Sequence, residues 1–198
     1  MDTVRITTWL AQQARDARDV SCAVEEQAGY LAEIAVRIAA AYWDGKKVIL
    51  FGNGGSAATA EHFATELTGK FYVQDRAPLP AIALTANTAQ LTAIANDYGY
   101  EHTFARMLGG VAHSGDIVIG ISTSGQSANV LRGLETGQRR HAITVGFTGA
   151  ASEEMEVYCD YLIRIPSTDV ARIQEGHDLC GHLVLAAVER LIFGNGST

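Results

Sequence analysis

Val48-Ile49-Leu50-Phe51-Gly52-Asn53-Gly54-Gly55-Ser56, running on through Thr59, His62 and Glu66, is the stretch that decides the fold. The apolar run 48–51 reads as a buried strand. It breaks into a turn holding Gly52, Gly54 and Gly55, residues that tolerate positive φ and close backbone approach. Ser56 stands where a helix N-cap belongs, and a helix is predicted over 56–68. On that helix His62 and Glu66 are four residues apart and share one face. A strand, an anion-accepting turn and a His/Glu pair imply a site that holds a charged small molecule and acts on it.

Working outward, strand-like runs recur at 81–84, 117–121, 142–147 and 161–165. They lack polar alternation, as strands buried on both faces do. Helical stretches separate them at 88–95, 101–112, 127–138 and, briefly, 151–156. A long C-terminal helix over 169–193 is expected to carry Ile173, Leu183, Val184, Ala187, Val188 and Leu191 on its apolar side. The first 45 residues read as helical, with Leu31, Ile34, Ala35, Ile38 and Tyr42 on one apolar face and Asp44-Gly45 as the stop. Strands alternating with helices predict the α/β class, a doubly wound and mainly parallel sheet. The two long terminal helices exceed what covering five strands requires, so at least one is expected to meet another subunit.

Bulk composition bounds the function. The chain has 198 residues, 47% of them hydrophobic and 19% charged, which suits one globular domain. Its net charge of −7 leaves no basic stripe for nucleic acid. One phosphate can still be held locally by backbone N–H groups and hydroxyls. Cys22, Cys159 and Cys180 are few and widely spaced, the pattern of reduced intracellular thiols. No run approaches the roughly 18 apolar residues of a membrane span, and the start Met-Asp-Thr-Val-Arg lacks a signal-peptide core. A cytoplasmic protein without membrane contact is expected.

Two loops compete as anion sites. Gly52-Asn53-Gly54-Gly55-Ser56-Ala57 fits the dinucleotide pattern G-x-G-x-x-A, but that pattern expects an acid at the end of the second strand. Leu84-Thr85-Ala86-Asn87 offers none there, so no nucleotide cofactor is expected. The run Ile117–Ile121 ends in Ser122-Thr123-Ser124-Gly125-Gln126-Ser127, where a helix begins. Hydroxyls at Ser122, Thr123, Ser124 and Ser127 thus gather at a strand's carboxyl end and a helix N-terminus. One hydroxyl suffices to cap a helix; four favour a phosphate.

Taken in order, Gly52-Asn53-Gly54-Gly55-Ser56, His62-Phe63-Ala64, Glu66-Leu67-Thr68-Gly69, Ala95-Asn96-Asp97, Gly120–Gly125, Ser127-Ala128-Asn129-Val130 and Arg172-Ile173-Gln174-Glu175 resemble the sugar isomerase (SIS) domain family. The resemblance spans nearly the whole chain and is strongest to the branch that acts on seven-carbon sugar phosphates. It implies one SIS domain over 1–198, a flavodoxin-like three-layer sandwich with a five-stranded parallel sheet and long N- and C-terminal helices. It also implies a homotetramer with active sites between subunits, the 1–45 region serving oligomerisation. The implied reaction is an aldose–ketose isomerisation of sedoheptulose 7-phosphate to D-glycero-D-manno-heptose 7-phosphate.

Such an isomerase needs a base near carbon and an acid near oxygen. By resemblance Glu66 is the base and His182 the acid. Sugar contacts fall to Asn53, Gly54, Gly55, Ser56, Glu66, Asn96, Asp97 and Gln174, and the phosphate to Ser122, Thr123, Ser124 and Ser127. Some members bind zinc through positions matching His62, Glu66, Gln174 and His182. On one regular helix, however, Gln174 and His182 lie about 12 Å apart along the axis, so sharing an ion needs an irregular helix start or two subunits. Thr59 and Ala171 stand where some members have Asp, which bears on the sugar-hydroxyl contacts. The alternatives are a non-catalytic SIS protein that binds the replication initiator, or an isomerase of another phosphosugar. Residues matching both the acid and the base favour an enzyme.

Overall fold

The structure, a computed structural model, describes residues 3–151 and 153–194. The opening apolar run forms β1 (Val48–Gly52), every residue of it buried. The other strands are β2 (Ala81–Ala83), β3 (Ile117–Ile121), β4 (Ile143–Thr148) and β5 (Tyr161–Arg164). They make one five-stranded sheet in the order β2-β1-β3-β4-β5, parallel at each pairing. β2 is shorter than its sequence suggests because Leu84–Ala86 wind into a 3-10 turn. The helices are α1 (Thr3–Glu26), α2 (Ala28–Trp43), α3 (Gly55–Thr68), α4 (Thr88–Tyr98), α5 (Thr103–Val111), α6 (Ala128–Arg139), α7 (Glu153–Glu156) and α8 (Val170–Phe193). The short helix expected over 151–156 is α7, and Ser152 lies outside the described residues.

Alternate residues of each strand feed two cores. Leu50, Ile119, Ile121, Val145 and Phe147 pack under residues of α2, α3 and α8. Ile49, Phe51 and Val118 pack on the opposite face against α5 and α6. This period-two division yields the three layers expected of a buried parallel sheet.

The N-terminal region is two helices broken at Gln27, whose amide donates to the carbonyl of Arg164 on β5 at 3.1 Å. Tyr30 adds a hydroxyl that accepts the Leu162 N–H of that edge strand at 2.7 Å. α1 buries only Val20 and Val24 and leaves Val4, Trp9 and Leu10 exposed. On α8 the core stripe runs Ile173, His177, Cys180, Val184 and Val188, spaced by three and four. Leu183 and Leu191, expected on that side, fall off the stripe and are 45% and 42% exposed. Among the described residues no helix is long and apolar enough to cross a membrane.

Two contacts fix α3 to α8. A β-carbon at Gly181 would collide with the Phe63 ring, so the helices approach as closely as glycine permits. Further along α8, the buried Glu189 carboxylate accepts the N–H groups of Phe71, Tyr72 and Val73 at 3.2, 2.7 and 3.1 Å, and the Arg76 Nε at 2.5 Å. Arg76 in turn donates to the carbonyls of Glu66 and Leu67 at the end of α3. Burial opposes ionisation of Glu189, but Arg76 and the three N–H groups outweigh it and hold its carboxyl below the usual range.

Gly181→Val should therefore lower stability by about 1–3 kcal/mol through overpacking. Adding Phe63→Leu should recover part of that loss, a coupling that urea unfolding of the double-mutant cycle measures. The stabilisation from Glu189 is fully present above the ordinary glutamate value of about 4.3 and is lost as pH falls through its lowered folded value. Glu189→Gln should cost about 3–5 kcal/mol at neutral pH by leaving Arg76 buried and unpaired. The same variant should show a shallower stability loss in acid than the parent when urea midpoints are compared across pH.

Candidate active site

The strand order reverses between β1 and β3, whose ends pair at Gly52 and Ile121. Their two following loops leave the same end of the sheet side by side, at the crevice where open α/β sheets bind ligands. Gly54, with φ of +54°, is the N-cap of α3, and no side chain caps this helix. Ser56, expected at the cap, is instead the second helical residue, buried, with its N–H on the Asn53 carbonyl at 3.0 Å. The left-handed backbone that the turn requires is open to glycine, and this displaces the cap upstream.

Asn53 faces across to the second loop. Its amide exchanges two hydrogen bonds with the buried Asn129, at 2.8 and 2.9 Å, and its Oδ1 also accepts the Tyr100 hydroxyl at 2.8 Å. The glycine turn and the serine loop are thereby held in register. Asn129 stands in a motif read from the sequence, but its pairing with Asn53, and the part of Tyr100, were not foreseen, because a pairing across 76 residues leaves no local signal.

In the serine loop Ser122 Oγ lies 3.0 Å from Ser127 Oγ and 3.4 Å from Ser124 Oγ. Ser127 is the N-cap of α6 yet makes no side-chain capping bond. The hydroxyls therefore point at one another, and the first N–H groups of α6 have no side-chain acceptor. Gly125, with φ of +67°, lets the loop turn back on itself through its N–H to the Ser122 carbonyl at 3.1 Å. Converging hydroxyls at an uncapped helix N-terminus are the donors that an anion can accept. The Thr123 carbonyl is engaged by Gly149 N–H, which anchors the loop to the end of β4.

On α3, His62 Nε2 and Glu66 Oε1 are 3.1 Å apart. The Glu66 side chain is 19% exposed and that of His62 43%, so the carboxylate sits deeper. The His182 ring lies 5.0 Å from that of His62, its edge set by Phe63 and its face stacked on Phe71 at 5.7 Å. Phe71 belongs to the segment that Glu189 holds by its N–H groups. Glu66 and His182, distant in sequence, thus both lie beside His62.

Gln174 lies over the glycine turn, where its amide fills the space that a β-carbon on Gly55 would need. Beside it a recess of about 300 Å³ is lined by Gly55, Ala58, Thr59, His62, Gln174 and Asp178. Gln174 and His182 are both on the regular helix α8, with no irregular start between them. Within one chain the four positions expected to share zinc therefore do not close on one point. Among the described residues no group of three or more His, Cys, Asp or Glu could hold a metal. Asn96 and Asp97 sit exposed near the end of α4, bonded to each other at 2.8 Å. Asp97 lines a separate groove with Tyr98 and Arg106, so a single chain does not bring it to the recess. His177 is a core residue edge-on to Phe147, and burial pushes its imidazole down to about 4.

A family model described as SIS domain matches residues 13–149. The phosphoheptose isomerase of Aneurinibacillus thermoaerophilus is 45% identical over 184 residues, covering 93% of this chain and 92% of its own. Phosphoheptose isomerase 2 of Campylobacter jejuni is 48% identical over 162 residues, 82% of this chain and 80% of its own. Among solved structures, a phosphoheptose isomerase from Francisella tularensis superimposes with a TM-score of 0.86 at 29% identity, covering 96% of this chain and all of that one. With its strand order, its serine loop and these likenesses in agreement, the chain belongs to the SIS domain family.

Proposed function

We propose that the chain is an aldose–ketose isomerase that converts sedoheptulose 7-phosphate into D-glycero-D-manno-heptose 7-phosphate through an enediol. The observations that carry this reading are the uncapped serine loop and the Glu66–His62–His182 cluster, both present in one chain. Relatives named phosphoheptose isomerase support the substrate class. The phosphate sits on Ser122, Thr123, Ser124 and Ser127, and the sugar runs past Asn53, Gly54, Gly55 and Gln174 toward Glu66.

Glu66 removes a proton from C1 of the ketose while His182 protonates the carbonyl oxygen on C2, giving the enediol. Glu66 then returns a proton to C2, and His182 accepts the proton from the C1 hydroxyl as the aldehyde forms. No atom is gained or lost, and both groups end in their starting states. His62 holds the Glu66 carboxylate from the adjacent turn, and Phe71 fixes the plane of the His182 ring.

The residues that would hold a zinc ion are His62, Glu66, Gln174 and His182, which a single chain does not bring to one point. When bound it would act as a Lewis acid on the substrate oxygens. A homotetramer is proposed on the exposed apolar residues Val4, Trp9 and Leu10 of α1, together with Leu183 and Leu191 of α8. A cytoplasmic setting accords with free Cys22, Cys159 and Cys180.

Incubation with sedoheptulose 7-phosphate, followed by NMR, should reveal the aldose phosphate at micromolar enzyme. Absence of turnover both with and without added zinc would overturn the isomerase reading. Glu66→Gln and His182→Gln should each lower kcat by about 100-fold or more with the melting temperature retained. Wild-type turnover in either variant would remove that residue from its role.

A further inference from the structure

Thr59 and Asp178 face each other across the recess between α3 and α8, and no role in the reaction above uses either. The buried Thr59 hydroxyl donates to Asp178 Oδ1 at 2.8 Å. Asp178 is half-buried, and its Oδ2 accepts no hydrogen bond from the described residues. The recess it lines also holds Gly55, His62 and Gln174, residues of the glycine turn and the reacting cluster. A carboxylate braced on one oxygen and open on the other is an acceptor-only group, matched to hydroxyl donors. It is mismatched to phosphate, because like charges at short range repel.

We propose that Asp178, braced by Thr59, accepts hydroxyl groups of the sugar chain and is a specificity-determining residue of this site. The proposal rests on the phosphosugar reading. It gives the bound molecule a direction: phosphate to the serine loop, polyol to Asp178. Charge-assisted hydrogen bonds to a half-buried carboxylate are the strong kind, so a few of them suffice to distinguish a hydroxylated chain from a shorter or deoxygenated one.

Isothermal titration of the full chain with sedoheptulose 7-phosphate and, separately, inorganic phosphate tests this. Asp178→Asn keeps the shape and an acceptor for Thr59, so it isolates the charge. Its affinity for the sugar phosphate should fall by about tenfold or more while that for inorganic phosphate stays within twofold. Thr59→Val, which frees the carboxylate from its brace, should weaken sugar phosphate binding less and again spare inorganic phosphate. Unchanged sugar phosphate affinity in Asp178→Asn overturns the proposal, as does an equal loss for both ligands, which marks a structural role. A parent protein that binds the sugar phosphate without turning it over defeats the isomerase reading alone. Turnover in the parent with unaltered affinity in Asp178→Asn defeats the present proposal alone.

Discussion

The approach of α3 to α8 at Phe63 and Gly181 is the constraint on which the site depends. His62 precedes Phe63 by one residue and His182 follows Gly181 by one, so closing that contact sets the two imidazole rings 5.0 Å apart. One helical turn further along α3 from His62, Glu66 comes with them. Toward the start of α8, the same crossing lays Gln174 on Gly55 and Asp178 against Thr59. A larger residue at 181 would separate the His62–His182, Gln174–Gly55 and Asp178–Thr59 pairings together, because close packing transmits the displacement along both helices.

Glu189 extends that constraint to the loop after α3. One buried carboxylate ties down three consecutive N–H groups and, through Arg76, the last carbonyls of α3. Alone, a buried ion pair is weak grounds for stability, since desolvation offsets its attraction. Here it accounts for geometry: it orders the segment carrying Phe71, and Phe71 covers the face of His182. The backbone groups so engaged would otherwise be costly to bury.

Much of the fold was legible because it is written in short-range pattern. Unbroken runs at 48–51 and 117–121 gave strands, and the Ser122–Ser127 segment gave the cluster of hydroxyls without reference to any other part of the chain. Errors arose where three-dimensional packing overrides local preference. Ser56 has the chemistry of a cap, yet the positive φ needed to leave β1 moves the cap to Gly54. Leu183 and Leu191 match an apolar period in isolation, but α8 turns a different stripe to the core. Thr59–Asp178, Asn53–Asn129 and Arg76–Glu189 join residues 119, 76 and 113 positions apart, and no spacing rule reaches so far. The placing of Glu66 and His182 on either side of His62 was available only through family resemblance, whereas the separation of Gln174 from His182 followed from helical rise alone.

The electrostatics of the site complete the picture. A chain of net charge −7 has to admit an anion, and the serine loop contains neither Lys nor Arg. Hydroxyls and the N-terminal N–H groups of α6 supply that attraction locally, at a point where the helix dipole adds to it. Glu66 and Asp178 lie on α3 and α8, outside that loop. On the proposed reading, attraction at the serine loop and like-charge repulsion at the two carboxylates favour one orientation of a phosphorylated polyol. In that reading the orientation for proton transfer would be set by where the charges are, before any hydrogen bond to the sugar is made.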